Sequence, residues 1–208
     1  TVPIYRPEGD DGAGIPVRRL TVTPVFWLFF VMMLCAGASE VAVSQWASAF
    51  AERGLGVNKT VGDLAGPMAF AICMGVSRLI YGFFGSRLRL ERFILISAVL
   101  CVASYLCIGF SPSPVLALVA CGVCGFSVGI FWPGTLSAAS GALPGGGTAM
   151  FALLALAGDV GCSAGPTLAG LVAGACGDNL HLGILSAIAF PSLMLGGACL
   201  LFRRRRRN

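Results

Sequence analysis

The chain has 208 residues, of which 57% are hydrophobic and 11% charged, with a net charge of +5 at neutral pH. Soluble domains carry about 25% charged residues, so this composition describes an integral membrane protein with little mass outside the bilayer. Much of the positive charge is the run Arg203 to Arg207, which marks membrane topology rather than a nucleic-acid footprint.

Residues 1–23 are polar and interrupted by Pro3, Pro7, Pro16, Gly9, Gly12 and Gly14, with Glu8, Asp10 and Asp11 beside Arg6, Arg18 and Arg19. A surface loop or linker is expected there. The segment lacks the basic start, short apolar core and cleavage site of a signal peptide, so none is expected. A chain that begins at Thr1 rather than Met is expected to be a fragment.

Six apolar spans follow, expected over residues 24–51, 64–84, 93–110, 115–138, 148–174 and 182–202. Each approaches or exceeds the roughly 20 helical residues that cross a hydrocarbon core of about 30 Å. Pro24 suits the first turn of a helix. Ser111-Pro112-Ser113-Pro114 reads as a tight turn, Pro144-Gly145-Gly146-Gly147 as a breaker, and Pro191 as a kink in the sixth span. Asp63 can cap the second span.

Arginine placement orients the bundle. The N-terminal segment, the turn with Arg87, Arg89 and Arg92, and the Arg203–Arg207 tail fall on one side of an even number of spans, and the other side has only Arg53 and Lys59. Both termini are therefore expected in the cytoplasm. Asn58-Lys59-Thr60 matches a glycosylation sequon, expected by chance alone.

The nine cysteines lie almost entirely in apolar runs. Cys121 and Cys124 form a C-x-x-C inside a membrane span with no second pair, so packing is expected rather than redox or metal chemistry. Gly62-x-x-x-Gly66, Gly125-x-x-x-Gly129, Gly161-x-x-x-Gly165 and Gly170-x-x-x-Gly174 are surfaces where helices can approach closely.

Within this apolar frame, Glu40 is the leading functional candidate. A carboxylate at membrane depth costs about 2.5 kcal/mol or more and must face a bundle interior or a wet cavity. Gly37 and Ser44 share its helical face, and Gln45 and Trp46 follow, giving an amide and an indole suited to a hydroxylated or cationic solute. Asp159, in Gly158-Asp159-Val160-Gly161-Cys162-Ser163-Ala164-Gly165-Pro166, is the second candidate, for substrate binding, proton coupling or a structural bond. Pro166 there releases a backbone carbonyl. Arg78 either snorkels to the interface or pairs with an acid such as Glu91 to lock a gate. Phe131-Trp132-Pro133-Gly134 is expected to end the fourth span as an aromatic anchor, the alternative being a gate at a broken helix. Gly161-Cys162-Ser163-Ala164-Gly165 formally matches a nucleophile elbow, but it lies in a membrane span, and the only histidine, His181, is expected in a solvated loop.

Gly75, Arg78, Gly82, Gly85, Arg87 and Leu88 resemble the basic turn motif of the major facilitator superfamily, with Ser86 where that motif has aspartate before the arginine. Gly37-Ala38-Ser39-Glu40 with Gln45-Trp46 resembles the first helix of the C-terminal half in the fucose-permease-like sugar branch, and Gly158-Asp159 with Gly165-Pro166 resembles a fifth-helix pattern of related members. The resemblance implies an all-α polytopic membrane bundle of six transmembrane helices, half of a twelve-helix fold. It makes 1–23 a cytoplasmic inter-half linker, 24–202 the bundle and 203–208 a basic cytoplasmic tail. It implies alternating access about a central cavity and a second, N-terminal six-helix half as partner. Proton-coupled secondary transport of a small polar, sugar-like solute across the plasma membrane, the cell inner membrane, is the expected function. Glu40, Gln45, Trp46 and Asp159 are its expected binding or coupling residues, and Arg78, Gly82 and Arg87 its gating motif. No enzyme activity, cofactor, metal or nucleic acid is expected. The alternatives are an intramembrane enzyme, for which Ser163 lacks a base, and a non-transporting partner or degenerate half.

Overall fold

A computed structural model describes residues 15–55, 59–85, 87–111 and 113–207. The sequon residue Asn58 and the altered motif position Ser86 lie outside the described residues, as does the side chain of the candidate cap Asp63. Nine helices are found among the described residues: α1 (Val17–Val22), α2 (Pro24–Leu55), α3 (Lys59–Phe84), α4 (Leu90–Phe110), α5 (Pro114–Val128), α6 (Phe131–Ala142), α7 (Gly147–Ala175), α8 (Leu180–Ala187) and α9 (Ala189–Arg207). Six stretches are long and apolar enough to cross a membrane. They match the six expected spans in order, because a backbone in hydrocarbon must satisfy its own polar groups, as a helix does.

The boundaries differ where proline acts. The fourth span runs in one piece from Val115 to Ala142, as expected, but its helical bonding is interrupted between α5 and α6, at Gly129 and Ile130, whose backbones stay right-handed helical. Residues 131–134 open α6 rather than end the span. Pro133 has no N–H to close onto the carbonyl of Gly129, so the helix is interrupted one turn upstream. The sixth span breaks between α8 and α9, four residues or fewer before Pro191, for the same reason. Pro67 and Pro166 lie inside α3 and α7 without ending them. Residues 17–22 form a short helix within the stretch expected to be a loop, starting directly after Pro16.

The bundle is arranged around α2. Its buried residues Phe26, Phe29, Met32, Cys35, Ala38, Ala42 and Val43 point in several directions around the helix axis. It packs against α3, α5, α6, α7, α8 and α9, most extensively against α7. That seam is built from glycine. A Cβ at Gly161 would run into the backbone of Leu34 and Ala38, one at Gly165 into the backbone of Ala38, and one at Gly37 into the carbonyl of Gly158. The expected face Gly161-x-x-x-Gly165 is therefore where α7 meets α2. Gly125 and Gly129 play the same part for α5 against Phe70 and Met74 of α3, whereas Gly174 faces open space.

Polar bonds pin the ends and the centre. The N–H of Ile15 donates to Gly145 O at 2.8 Å, so the N-terminal segment and the α6–α7 turn lie at one end of the bundle. At the other end His181 Nδ1 lies 3.0 Å from Ile108 O. It is exposed, as expected, but sits in the first turn of α8 against the last turn of α4 rather than in a loop. In the core, the fully buried Tyr105 of α4 donates its hydroxyl to Ser39 O at 2.9 Å. Tyr105→Phe is expected to remove about 1 kcal/mol, the net worth of one such bond. For a domain of this size that lowers the melting temperature by about 2–4 °C. A thermal melt in detergent checks this, and an unchanged midpoint would show the bond to be worthless. Cys101 Sγ and Cys124 Sγ are 4.0 Å apart, free thiols in a weak S–H···S contact among packed apolar side chains.

Candidate functional site

Two polar cavities lie along α2 and α7. The first, of about 370 Å³, is lined by Glu40 of α2, Arg78 of α3, Trp132, Pro133 and Leu136 of α6, and Cys162 of α7. The second, of about 520 Å³, is lined by Val41, Gln45, Trp46, Cys162, Ser163, Pro166 and Thr167. Cys162 is common to both, so the two chambers meet at its side chain.

Glu40 reaches the first chamber because the residues around it on α2 are spent on packing. Ala36, Ala38, Ala42 and Val43 are fully or almost fully buried, and Gly37 presses on α7. The remaining direction points at α3, where Arg78 brings Nη2 to 3.9 Å from Glu40 Oε2. This is an ion pair too long for a hydrogen bond. Glu40 Oε2 is buried and makes no hydrogen bond among the described residues. The carboxylate is thus balanced in charge but keeps acceptor capacity for another donor. The arginine side chain is 46% exposed, and its ion pair is with Glu40. Its Nε donates to Gly129 O at 3.3 Å.

Trp132, expected as an aromatic anchor, lines the first chamber. Its indole lies over Gly158, where a Cβ would sit 2.5 Å from ring carbon Cη2. The missing side chain at position 158 leaves room for the ring beside Glu40. The signal for this was present in the sequence as Pro133, which breaks the helix at membrane depth. Which helix the break faces was not.

The second chamber contains Gln45 and Trp46 together, five and six residues along α2 from Glu40 and so about one and a half turns away. Across from them Thr167 Oγ1 donates to Ser163 O at 2.6 Å, and Ser163 Oγ donates to Asp159 O at 3.4 Å. Both hydroxyls retain lone pairs that can accept from a solute. Pro166 leaves the Cys162 carbonyl without its helical donor at the point where the chambers meet. Asp159 is exposed on α7 and lines neither chamber. Gly82 and Arg87 are exposed near the end of α3 and away from both chambers. The formal nucleophile elbow is continuous helix that packs on α2, with neither strand nor sharp turn. Among the described residues no group of three histidine, cysteine or acidic side chains could hold a metal.

The site is therefore a charged pair in a cavity within a bundle of six helices long and apolar enough to cross a membrane. A family model described as Major Facilitator Superfamily matches residues 6–166, well over half of the sequence, and the chain belongs to that superfamily. Among solved structures it is similar to a variant of the Escherichia coli fucose:proton symporter FucP, with a TM-score of 0.79 and 16% identity. The match covers 89% of this chain and 44% of that one, so the chain spans less than half the length of the symporter. No curated protein matches the chain.

Proposed function

We propose that this chain is the C-terminal half of a secondary transporter that carries a small polar solute, a sugar or polyol, by alternating access coupled to protons. The observation that supports this most is Glu40 facing a cavity of about 370 Å³ inside a membrane span, with Arg78 as its counter-charge. Membrane carboxylates in such a setting bind substrate or carry protons. Glu40 takes the proton or a donor group of the solute, Gln45 and Trp46 hold its hydroxyls and ring face in the second chamber, and Asp159 assists from the exposed face of α7. An N-terminal six-helix half supplies the opposing wall. The basic turn with Gly82 and Arg87 closes the cytoplasmic side, in the inner membrane, with both termini in the cytoplasm.

Uptake by the full-length protein in proteoliposomes tests the reading. A panel of radiolabelled monosaccharides and polyols is offered with and without an inward proton gradient. Saturable accumulation of at least one solute, collapsed by an uncoupler, is expected. Folded protein that neither accumulates nor exchanges any solute of the panel would refute the proposal.

A further inference from the structure

We infer that Arg78 is a positioning residue that ties the charge on Glu40 to the break between α5 and α6. The inference rests on the reading of Glu40 as the carboxylate of the transport site, and it adds a route by which the state of that carboxylate reaches the backbone.

The route begins at Pro133. In an unbroken helix the N–H of residue 133 would donate to Gly129 O, and proline has no N–H to give. α5 ends at Val128 and α6 begins at Phe131. Regular bonding resumes with Gly134 N–H donating to Ile130 O at 2.8 Å, leaving the Gly129 carbonyl without its helical donor. A neighbouring helix supplies the replacement: Arg78 Nε of α3 donates to that carbonyl at 3.3 Å. The close approach depends on glycine, because a Cβ at 129 would sit 2.8 Å from Met74 O and 2.8 Å from Ser77 Cβ on α3.

The same guanidinium faces Glu40 through Nη2. One planar group therefore bridges α2, α3 and the break, and its fixed fork cannot turn toward one partner without moving relative to the other. Trp132, next to Pro133, lines the chamber that holds Glu40, so a change at the break displaces a wall of the site. Among the described residues, the other titratable side chain lining that chamber is Cys162, from α7. While Glu40 is charged, it holds the guanidinium inward. When a proton or a ligand cation takes up that charge, the guanidinium, already 46% exposed, turns to water and Gly129 O loses its donor. The break then loosens and Trp132 is free to move.

Hydrogen exchange of the full-length protein in nanodiscs, read by mass spectrometry over residues 129–135, tests this. Glu40→Gln is expected to accelerate exchange there by about ten-fold, as loss of one charged hydrogen bond implies, with α4 unchanged. Arg78→Gln is expected to do the same, and the double variant no more than either. Pro133→Ala restores the missing N–H, so in that background Glu40→Gln is expected to have no effect on the break. If Glu40→Gln fails to fold, Arg78→Lys serves: it keeps a charge opposite Glu40 but lacks Nε, and accelerated exchange is again expected. Wild-type exchange in Glu40→Gln or in Arg78→Lys, or a response that persists with Pro133→Ala, would overturn the link. Lost uptake with unaltered exchange overturns it while sparing the carrier reading. Accelerated exchange with normal uptake supports the link and counts against Glu40 as the site carboxylate.

Discussion

Glu40→Gln is expected to lower proton-driven uptake about a hundred-fold while leaving the protein folded. The glutamine amide has almost the same shape as the carboxylate, so the packing of α2 changes little. The charge is lost, and with it the group that can take a proton or accept from a cationic or hydroxylated solute. Arg78, 3.9 Å away, is left without its counter-charge. That pair is not hydrogen-bonded and Arg78 is 46% exposed, so water screens the loss and the cost to folding is about 1 kcal/mol or less. The hundred-fold, about 2.7 kcal/mol of barrier, is the loss of the group that exchanges the proton or binds the solute. Uptake and counterflow in proteoliposomes, normalised to the monodisperse protein peak, measure the effect. If accumulation is lost but counterflow survives, Glu40 couples the proton. If both are lost, it binds the solute. Normal concentrative uptake would remove Glu40 from the mechanism.

The largest effect on folding is expected at Gly161. Its missing side chain faces the backbone of Leu34 and Ala38, atoms that cannot swing aside as a side chain does. Overpacking into movable side chains costs about 1–3 kcal/mol, and against a backbone the two helices must separate. The α2–α7 seam is the most extensive contact in the bundle, so its separation consumes much of a total stability on the order of 5–15 kcal/mol. Gly161→Leu is therefore expected to reduce the monodisperse peak in size-exclusion chromatography to background. Gly174→Ala, in the same helix but with nothing within 4 Å, is expected to leave that peak intact. A Gly161→Leu protein that melts like wild type would show that α7 does not approach α2 along this face.

The six spans were legible because each is a long apolar run bounded by proline, glycine or arginine, and hydrocarbon allows such a run few other structures. The glycine face of α7 was legible too, since spacing alone defines it. The partner of that face was not, because nothing in Gly161 or Gly165 names Leu34 and Ala38. Arg78 shows the same limit: its sequence neighbourhood suggested the interface or Glu91, while packing of α3 beside α2 placed it against Glu40. The place of Trp132 beside Glu40 was not legible, because it depends on Gly158 of α7 leaving room for the ring. Gln45 and Trp46 were singled out beside Glu40, but the local order of residues could not show that they line a separate chamber with Thr167.

The central place of α2 also bears on how the chain is made. It leaves the ribosome before the other five spans described here, and its largest partner, α7, begins only at Gly147. Its buried face therefore waits through the synthesis of three further spans before the glycine seam can close. Contacts so distant in sequence form slowly, since the intervening chain must be ordered first. During that interval the α7 wall beside Ser39, Glu40 and Gln45 is missing, while Arg78, the ion-pair partner of Glu40, arrives one span later. A chain cut before Gly147 would therefore keep the charged pair and lose the largest cover of α2.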